Sequence, residues 1–371
     1  MKISVITLHR VTNFGSLLQT YATETILERL GHDVTIIDFV PDGLTFKRAI
    51  WPKKGNTLIK ILKFLPLMIC NLFQYHMSDK FLKENTTLTP KRYYNYTDLA
   101  SEKFDTDIFI SGSDQVWNTQ NNNPDADLGA YYLQFAEGKI KIAYAGSFGR
   151  TEFSNDEKQK ICFWLKQYKS ISVREDKGLT LIEEMGIHGK HVVDPTFLLN
   201  RNDWIEFYLS KRTEFPHKGY VFVYNLNRNK LLKKIAIKVA EKYNLRIINF
   251  ADTFEFIPKA YNKLFNTPFD FLGYLINADY VITDSFHGTC FSINLEKQFI
   301  TVAAPKYNVR IESVLRMMHC ESRLIISVEE AIKKCEKQID YKIITPLVNN
   351  NRCKSLQFLE NSINECKYNW K

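Results

Sequence analysis

The sequence predicts an α/β protein made of two successive doubly wound, Rossmann-like domains that face a cleft. The chain has 371 residues, which is too long for one ordinary core and suits two domains of roughly 150–200 residues each. Short β-branched apolar runs also alternate with segments of helical spacing, which is typical of parallel sheets with crossover helices. We expect an N-terminal domain over residues 1–210 and a C-terminal domain over residues 211–371 that ends in a helical tail.

The opening of the chain shows this alternation most clearly. Residues 2–8 form an apolar strand pattern, and apolar side chains then recur at helical spacing over 17–30. Gly31 follows, where a helix-ending glycine is expected. Residues 34–39 form a second strand pattern. This βαβ unit implies a parallel sheet with a right-handed crossover.

The rest of the chain continues the same rhythm. The first domain has predicted strands at 107–110, 141–145, 170–174 and 191–195, with a helix around 179–185. Residues 201–217 are polar and irregular, and we interpret them as the domain junction. The second domain has predicted strands at 220–224, 245–250, 280–283 and 299–302, helices at 230–243, 269–277 and 288–295, and a final helix beginning near 309.

Residues 41–100 interrupt the rhythm, and we interpret them as a basic insertion on the first domain. Between residues 43 and 78 there are six Lys or Arg and no acidic residue, beside Trp51 and a Leu/Ile/Phe-rich stretch. Such a segment suits peripheral contact with an anionic membrane surface. The alternative is an ordinary helical pair with solvated lysines. The longest apolar run, 64–70, contains Pro66 and is shorter than the ~18–20 residues that span a bilayer.

The composition of the chain limits its possible binding partners and its possible cellular compartment. The net charge of +9 suits nucleic acid, an anionic membrane or an acidic substrate. No zinc-finger or RNA-stacking signature is present, so we expect no nucleic-acid partner. The seven cysteines are odd in number and contain no Cys-x-x-Cys pair, which argues against disulfides and zinc. We expect reduced thiols, no signal peptide and a cytoplasmic protein.

The sharpest motif covers residues 283–289, where a predicted strand ends and a helix begins. In open α/β sheets this edge is where ligands bind, and a helix N-terminus there suits phosphate. Ser285 and Thr289 offer hydroxyls, Gly288 allows close approach, and His287 is the side chain that titrates near neutrality. The alternative is a helix cap with a partly buried histidine.

Two other loops carry groups that suit sugar hydroxyls. Ser113, Asp114 and Gln115 follow the strand predicted at 107–110 and lie among small residues. Asn13 and Gly15 lie in the turn after the first strand. The alternative for the first of these loops is a tight turn that caps a helix.

Two arginines are candidates for binding an anion. Arg174 ends a predicted strand, where its guanidinium can hold a carboxylate or phosphate with two hydrogen bonds. The alternative is an ion pair with a nearby acid. Arg310 begins a predicted helix, where its charge opposes the helix dipole and therefore favours an anion. These candidate loops contain no paired histidines and no Asp-x-Asp, and the sequence has no Gly-x-Gly-x-x-Gly and no P-loop lysine. We therefore expect no metal and no cofactor.

Seven segments together resemble the polysaccharide pyruvyl transferase family, in the family's order and over about residues 1–320. They are 13–19, 112–117, 143–149, 172–175, 193–196, 283–288 and 310–313. The resemblance implies a fold like that of GT-B glycosyltransferases, phosphoenolpyruvate as donor, and a sugar diol that becomes a cyclic pyruvate ketal. The acceptor would be a capsular polysaccharide or exopolysaccharide, or its polyprenyl-linked precursor at the cytoplasmic face of the membrane.

The resemblance and the motifs together assign the site residues. His287 is the expected catalytic acid or phosphate ligand. The expected donor-binding residues are Arg174, Ser285, Gly288, Thr289 and Arg310, and the expected acceptor-binding residues are Asn13, Gly15, Ser113, Asp114 and Gln115. A eukaryotic branch of the family has an arginine where this chain has Ser285, so phosphate anchoring falls to Arg174 and Arg310. Two other functions stay open: a GT-B glycosyltransferase that uses a nucleotide sugar, and a non-catalytic scaffold of a capsule assembly complex.

Overall fold

The chain forms two six-stranded parallel sheets with helices between their strands. The computed structural model describes residues 1–11, 13–41, 58–119, 125–250, 255–303 and 308–367, with the backbone alone at 58–65, 125–127 and 367. The strands are β1 Lys2–Ile6, β2 Asp33–Ile36, β3 Ile108–Ser111, β4 Ile140–Gly146, β5 Ser170–Val173, β6 Lys190–His191, β7 Tyr220–Tyr224, β8 Arg246–Phe250, β9 Tyr261–Lys263, β10 Tyr280–Thr283, β11 Gln298–Val302 and β12 Leu324–Ile325.

The helices follow the strands in alternation. They are α1 Phe14–Arg29, α2 Leu58–Asn85, α3 Tyr96–Ala100, α4 Asp125–Tyr131, α5 Asn155–Leu165, α6 Asp176–Glu184, α7 Arg201–Leu209, α8 Lys230–Tyr243, α9 Pro268–Asn277, α10 Phe286–Asn294, α11 Val309–Met317, α12 Val328–Glu336 and α13 Tyr341–Lys367.

The strand order gives each sheet one switch point, where successive crossovers change direction. The first sheet has the order β2-β1-β3-β4-β5-β6, and the second has the order β12-β11-β10-β7-β8-β9. The switch points therefore lie between β1 and β3 in the first sheet and between β7 and β10 in the second. Ligands of such sheets bind beyond the carboxyl ends of these strands. The predicted fold class, two doubly wound α/β sheets, is confirmed.

Contacts within the chain divide it into two compact units. The first comprises Met1–Ala49, Ser78–Leu198 and Asn350–Lys371, and the second comprises Ile50–Met77 and Leu199–Asn349. These units differ from the predicted domains at 1–210 and 211–371 in two main ways. Ile50–Met77, which was predicted as part of an insertion on the first domain, belongs to the second unit, and the end of α13 belongs to the first unit. Ser355 of α13 accepts a hydrogen bond from the backbone N–H of Val193 at 3.0 Å, a contact that sequence order does not suggest.

Several predicted boundaries are wrong for local reasons. The segment predicted as an irregular junction contains α7, whose first turn is fixed by a capping box between Asn200 and Asp203. The helix near 309 is not the last, because α12 and α13 follow it. The strand predicted at 191–195 stops at His191, because Asp194 caps a short 3₁₀ turn that begins at Pro195.

The basic insertion is described only in part. Residues 42–57, with Lys53 and Lys54, lie outside the described residues. Lys60 and Lys63 belong to α2, which continues through Pro66. None of the helices in the described ranges is long and apolar enough to cross a membrane. The membrane contact of this segment stays a prediction.

Helix α1 is buried along most of its length and carries an acidic group into the interior. Glu24 is 4% exposed. One of its carboxylate oxygens accepts the Thr87 N–H at 2.7 Å, whereas the other has no hydrogen-bond partner. Burial raises the pKa of Glu24 from 4.5 to about 7, against the hydrogen bond from Thr87, which lowers it. Ionised Glu24 therefore destabilises the folded chain at neutral pH.

The substitution Glu24→Gln is expected to stabilise the protein at high pH only. The contribution of a group whose pKa is raised on folding is fully present below its unfolded pKa and is lost as the pH rises through about 7. We therefore expect a gain on the order of 1–3 kcal/mol at pH 8.5 and little gain at pH 4.5, measured by urea unfolding. Glu183→Gln, at an exposed position of α6, is the matched control. An equal gain at both pH values would contradict the assignment.

Candidate functional site

The predicted acceptor-binding residues all lie at the switch point of the first sheet. The loop after β1 leads into α1, where the Asn13 side chain accepts the Gly15 N–H at 2.9 Å and caps the helix. The loop after β3 carries Ser113 and Asp114, both buried, and the half-buried Gln115. The structure thus brings these residues to one edge of one sheet, and their sugar contacts stay a prediction.

Asp114 has an unusual backbone conformation and a carboxylate with a hydrogen-bond partner on each oxygen. Its φ is +76°, in the left-handed region that residues other than glycine seldom occupy. Its Oδ1 atom accepts hydrogen bonds from the Gln115 N–H at 2.8 Å and from Arg174 Nη2 at 3.0 Å. Its Oδ2 atom accepts the hydroxyl of Ser16 from the first turn of α1. Asp114 therefore joins the loops that follow β1 and β3 to the end of β5.

Arg174 is buried between two carboxylates. Its side chain is 0% exposed, and besides Asp114 it donates from Nη1 to Asp194 Oδ2 at 2.8 Å. The same oxygen of Asp194 accepts the Ser113 hydroxyl at 2.9 Å. The arrangement is the ion pair that the sequence left open as the alternative. A direct contact between Arg174 and the donor stays a prediction, since the donor's anion would compete with these carboxylates.

Asp194 is the functional candidate at this edge to which sequence reasoning gave no role. Its second oxygen accepts both the N–H and the hydroxyl of Thr196, at 3.0 and 2.9 Å. It therefore holds Arg174 from a short turn after β6. The signal in the sequence is the Asp194-Pro195 dipeptide. It lies in the strand predicted at 191–195 and in the segment 193–196 that resembles the family.

A second buried ionic cluster surrounds Asp38. One of its oxygens accepts His9 Nε2 at 3.1 Å and Arg10 Nε at 2.8 Å, and the other accepts Arg92 Nε at 3.0 Å. Burial of the carboxyl favours its neutral form, but the hydrogen bonds and charges of His9 and Arg10 hold the pKa of Asp38 well below its usual range. The cluster fixes the start of the β1–α1 loop, and its members are too far apart in sequence to be recognised together.

The 283–289 motif occupies the switch point of the second sheet. Thr283 donates its hydroxyl to the Tyr224 carbonyl at 2.8 Å and accepts the Ser285 N–H at 3.0 Å. Ser285 caps α10 by accepting the Gly288 N–H at 3.3 Å. Thr289 donates to the Ser285 carbonyl at 2.9 Å and shares a hydrogen bond with the Thr301 hydroxyl. The hydroxyls of Ser285 and Thr289 thus shape the helix start, and their contact with a donor stays a prediction.

Asp284 connects the two strands at this switch point. Its carboxylate accepts the N–H groups of Leu226 at 2.8 Å and Asn227 at 3.1 Å, in the loop after β7. Burial raises the pKa of Asp284, whereas these N–H groups lower it. The sequence places Asp284 in the motif but predicts no role for it. The structure shows that it binds the β7–α8 loop to the motif.

His287 and Arg310 each lie close to the aromatic ring of Phe286. His287 is 3% exposed and is the second residue of α10. Its ring centroid is 5.2 Å from that of Phe286. The Arg310 guanidinium carbon lies 5.6 Å from the Phe286 centroid, in the first turn of α11. His287 and Arg310, in the first turns of α10 and α11, thus both lie near Phe286. A histidine, an arginine and helix N-termini at one place suit a phosphorylated anion.

Gly288 is required by the packing of α10 on β10. A Cβ placed on it lies 2.5 Å from the Thr283 Oγ1 atom and 3.1 Å from the Thr283 Cβ. Thr283 cannot move aside easily because its hydroxyl is bonded to the Tyr224 carbonyl. Packing alone therefore explains why residue 288 is a glycine, whether or not Gly288 also contacts the donor.

We expect Gly288→Ala to lower the stability of the protein by about 1–3 kcal/mol, because the added methyl group overpacks the strand–helix junction. Thermal unfolding followed by circular dichroism measures the effect. Gly129→Ala is the matched control, since the nearest atom to a Cβ there is 3.6 Å away, in ordinary contact. Equal melting temperatures for Gly288→Ala and the wild type would refute the steric account.

Metal ligands are not clustered in this site. In the ranges that the structure describes, no group of three or more His, Cys, Asp or Glu residues is arranged to hold a metal ion.

The family model described as polysaccharide pyruvyl transferase matches residues 13–304. The chain belongs to the polysaccharide pyruvyl transferase family. The match contains Asn13, the loop after β3, Arg174 and the 283–289 motif, and it confirms the predicted family. The chain has no significant match among curated proteins.

Solved structures show the fold of this pyruvyl transferase family member in other proteins. UDP-GlcNAc 2-epimerase from Neisseria meningitidis bound to UDP-GlcNAc is 9% identical, with a TM-score of 0.55 over 98% of this chain and 100% of that one. The S. aureus MnaA–UDP co-structure is 9% identical, with a TM-score of 0.53 over 94% of this chain and 90% of that one. UDP-GlcNAc 2-epimerase from Methanocaldococcus jannaschii is 15% identical, with a TM-score of 0.50 over 92% and 94%. These GT-B-like neighbours agree with the predicted resemblance of the fold.

Proposed function

We propose that this protein transfers a pyruvyl group from phosphoenolpyruvate to a sugar diol of a surface polysaccharide or its lipid-linked precursor, forming a cyclic ketal and releasing phosphate. Family membership supports a pyruvyl transferase in general. The observation that carries the proposal is the meeting of His287 and Arg310 around Phe286 at the switch point of the second sheet. Phosphoenolpyruvate is an anion of the size and charge that such a site attracts.

The donor would be bound by charge at the second unit. The N-termini of α10 and α11 present N–H groups and the positive ends of two helix dipoles. Arg310 supplies a full positive charge within the first turn of α11. Ser285, Gly288 and Thr289 would serve by shaping the α10 N-terminus, given their hydrogen bonds and packing. These groups would also stabilise the phosphate as it leaves.

The reaction then needs one acid and two sugar hydroxyls. His287 protonates the methylene carbon of phosphoenolpyruvate, which leaves an oxocarbenium-like centre at the adjacent carbon. One sugar hydroxyl adds to that carbon and loses its proton. The carbon–oxygen bond to phosphate breaks, and the second hydroxyl closes the ring and loses its proton in turn. The products are the ketal and inorganic phosphate.

The acceptor would be bound by the polar loops of the first unit. Asp114 and Gln115 carry oxygens that suit sugar hydroxyls, and Asn13, Gly15 and Ser113 would shape the loops that present them. Arg174 keeps its proposed role in donor binding, with Asp114 and Asp194 as its partners in the structure. Contact of the basic insertion with an anionic membrane would bring the enzyme to a polyprenyl-linked acceptor.

Competing donors test this proposal against a glycosyltransferase. Two of the solved structures compared above contain UDP or UDP-GlcNAc, so a nucleotide sugar is the alternative donor to test. The purified chain is incubated with a lipid-linked glycan and either radiolabelled phosphoenolpyruvate or labelled UDP-sugars. We expect label to enter the glycan from phosphoenolpyruvate alone. Transfer from a UDP-sugar would favour the glycosyltransferase, and no transfer from either donor would favour the scaffold.

A further inference from the structure

The second unit has a cavity far from the 283–289 motif. Its volume is about 630 Å³, and it lies at the amino ends of β7, β8 and β9. Tyr220 and Arg246, which line it, are the first residues of β7 and β8 and pair in register. His287 follows the carboxyl end of β10, so the length of a strand, roughly 15 Å, separates the two places. The cavity is therefore distinct from the proposed donor site.

The walls of the cavity combine cations with aromatic rings. Six of its ten lining residues are of these two kinds: His217, Arg246, Lys259, Tyr220, Tyr261 and Tyr274. None of the ten lining residues is acidic. The Tyr261 ring is 59% exposed, whereas Tyr220 is buried and fixed by its hydroxyl, which donates to the Tyr274 carbonyl at 2.8 Å. The exposed ring of Tyr261 can therefore contact a ligand, whereas the buried ring of Tyr220 is held in place.

Two carboxylates near the cavity, those of Asp270 and Asp279, are bound to other groups of the protein. Asp270 pairs with Lys263 at 3.0 Å. Asp279 accepts the backbone N–H groups of Gly219 at 2.7 Å and Tyr220 at 3.0 Å. In the part of the chain that the structure describes, Arg246 and Lys259 form no ion pair, and Arg246 donates one hydrogen bond to the Lys218 carbonyl at 3.2 Å. Their positive charges are therefore available to a ligand.

We propose that this cavity binds an anionic sugar residue as a second glycan subsite. The apolar C–H face of a sugar ring packs on Tyr261, and a carboxylate or phosphate on the sugar pairs with Arg246 and Lys259. The volume suits a ligand of one or two sugar rings. The source of the glycan rests on the proposed function, since a pyruvyl ketal gives each modified sugar a carboxylate. A subsite of this kind would retain a chain that is already modified.

Binding to the full chain tests the subsite without any turnover. Three probes are titrated by calorimetry: a methyl glycoside that carries a 4,6-pyruvyl ketal, glucose 1-phosphate, and the unmodified methyl glycoside. We expect the charged probes to bind and the neutral one not to bind. A stronger response to the ketal identifies the carboxylate as the natural anion, and a stronger response to the phosphate identifies the phosphate. Failure of both charged probes to bind overturns the proposal.

Variants then place the binding. Arg246→Ala and Tyr261→Ala should each weaken binding of the charged probe about tenfold, as expected for one charge-assisted or stacking contact. Lys238→Ala, an exposed cation of α8 that pairs with Glu241, is the matched control and should leave binding unchanged. Binding that survives both cavity variants but disappears in His287→Ala would place the probe at the donor site and overturn the subsite.

Turnover separates this inference from the proposed function. With a short neutral acceptor, Arg246→Ala and Tyr261→Ala should keep the wild-type rate of pyruvyl transfer. If the wild type transfers pyruvyl but binds no charged probe, the subsite is wrong and the proposed function stands. If it binds the probes through Arg246 and Tyr261 but transfers nothing, the subsite stands and the proposed function is wrong.

Discussion

Replacing His287 by alanine is expected to lower pyruvyl transfer by about 10²–10⁴-fold, the usual contribution of a general acid. The side chain is 3% exposed in the first turn of α10, at the carboxyl end of β10. No other titratable side chain lies in the 283–289 motif except Asp284, whose carboxylate already accepts two backbone N–H groups. The measurement is kcat and KM with phosphoenolpyruvate and a defined acceptor.

Two controls separate lost chemistry from lost structure. His287→Gln keeps a polar side chain of similar size but cannot act as an acid, so it should be as inactive as His287→Ala and closer to the wild type in thermal stability. His188→Ala removes an exposed histidine and should leave the rate unchanged. A folded His287→Ala protein with wild-type turnover would refute the assignment. A raised KM with unchanged kcat would assign His287 to phosphate binding instead of acid catalysis.

The substitution Arg174→Ala is expected to destabilise the protein by roughly 3–5 kcal/mol, because it leaves buried carboxylates without their cation. Asp194 is fully buried and Asp114 is nearly so, and both accept hydrogen bonds from this guanidinium. Arg174→Lys should recover little, since one ammonium group cannot reproduce the fork that joins the two carboxylates. Urea unfolding measures the loss.

An exposed arginine provides the comparison for this prediction. Arg316 forms an i,i+4 pair with Glu312 at 3.8 Å, with both side chains 42% exposed. Arg316→Ala should therefore cost no more than about 0.5 kcal/mol. If Arg174→Ala unfolds at the same urea concentration as the wild type but its KM for phosphoenolpyruvate rises, Arg174 contacts the donor and the ionic network is not its main role.

Periodicity predicts four of the six strands of the second sheet, β7, β8, β10 and β11, but not the short strands β9 and β12. Helix α8 begins and ends where its pattern predicts, at Lys230 and Tyr243, because Asn229 caps it and Asn244 ends it in the left-handed conformation. Helix α12 was missed although its signal is present: Ser327 caps it by accepting the Glu330 N–H, and Ala331 and Cys335 are buried one turn apart. Beyond about residue 320, where the resemblance ends, the only element predicted from the sequence is a helical tail.

The partners of the site residues could not be predicted in the same way. Arg174 binds Asp114 and Asp194, which are 60 and 20 residues away in sequence. Only the order of strands in the sheet brings their loops together, and spacing along the chain does not reveal that order. The sequence could place His287, Asp114 and Arg174 at strand ends, because parallel strands end at one edge. The sequence alone could not show which of these side chains faces a ligand and which forms an ion pair with another side chain of the protein.

The mass of a defined lipid-linked glycan after incubation with phosphoenolpyruvate tests the central proposal most directly. The wild-type enzyme should add one pyruvyl ketal to each modified sugar and release one inorganic phosphate for every ketal formed, while the His287→Ala protein should add almost none. A glycan that keeps its mass in the presence of phosphoenolpyruvate but gains a sugar from a UDP-sugar would contradict pyruvyl transfer by this chain.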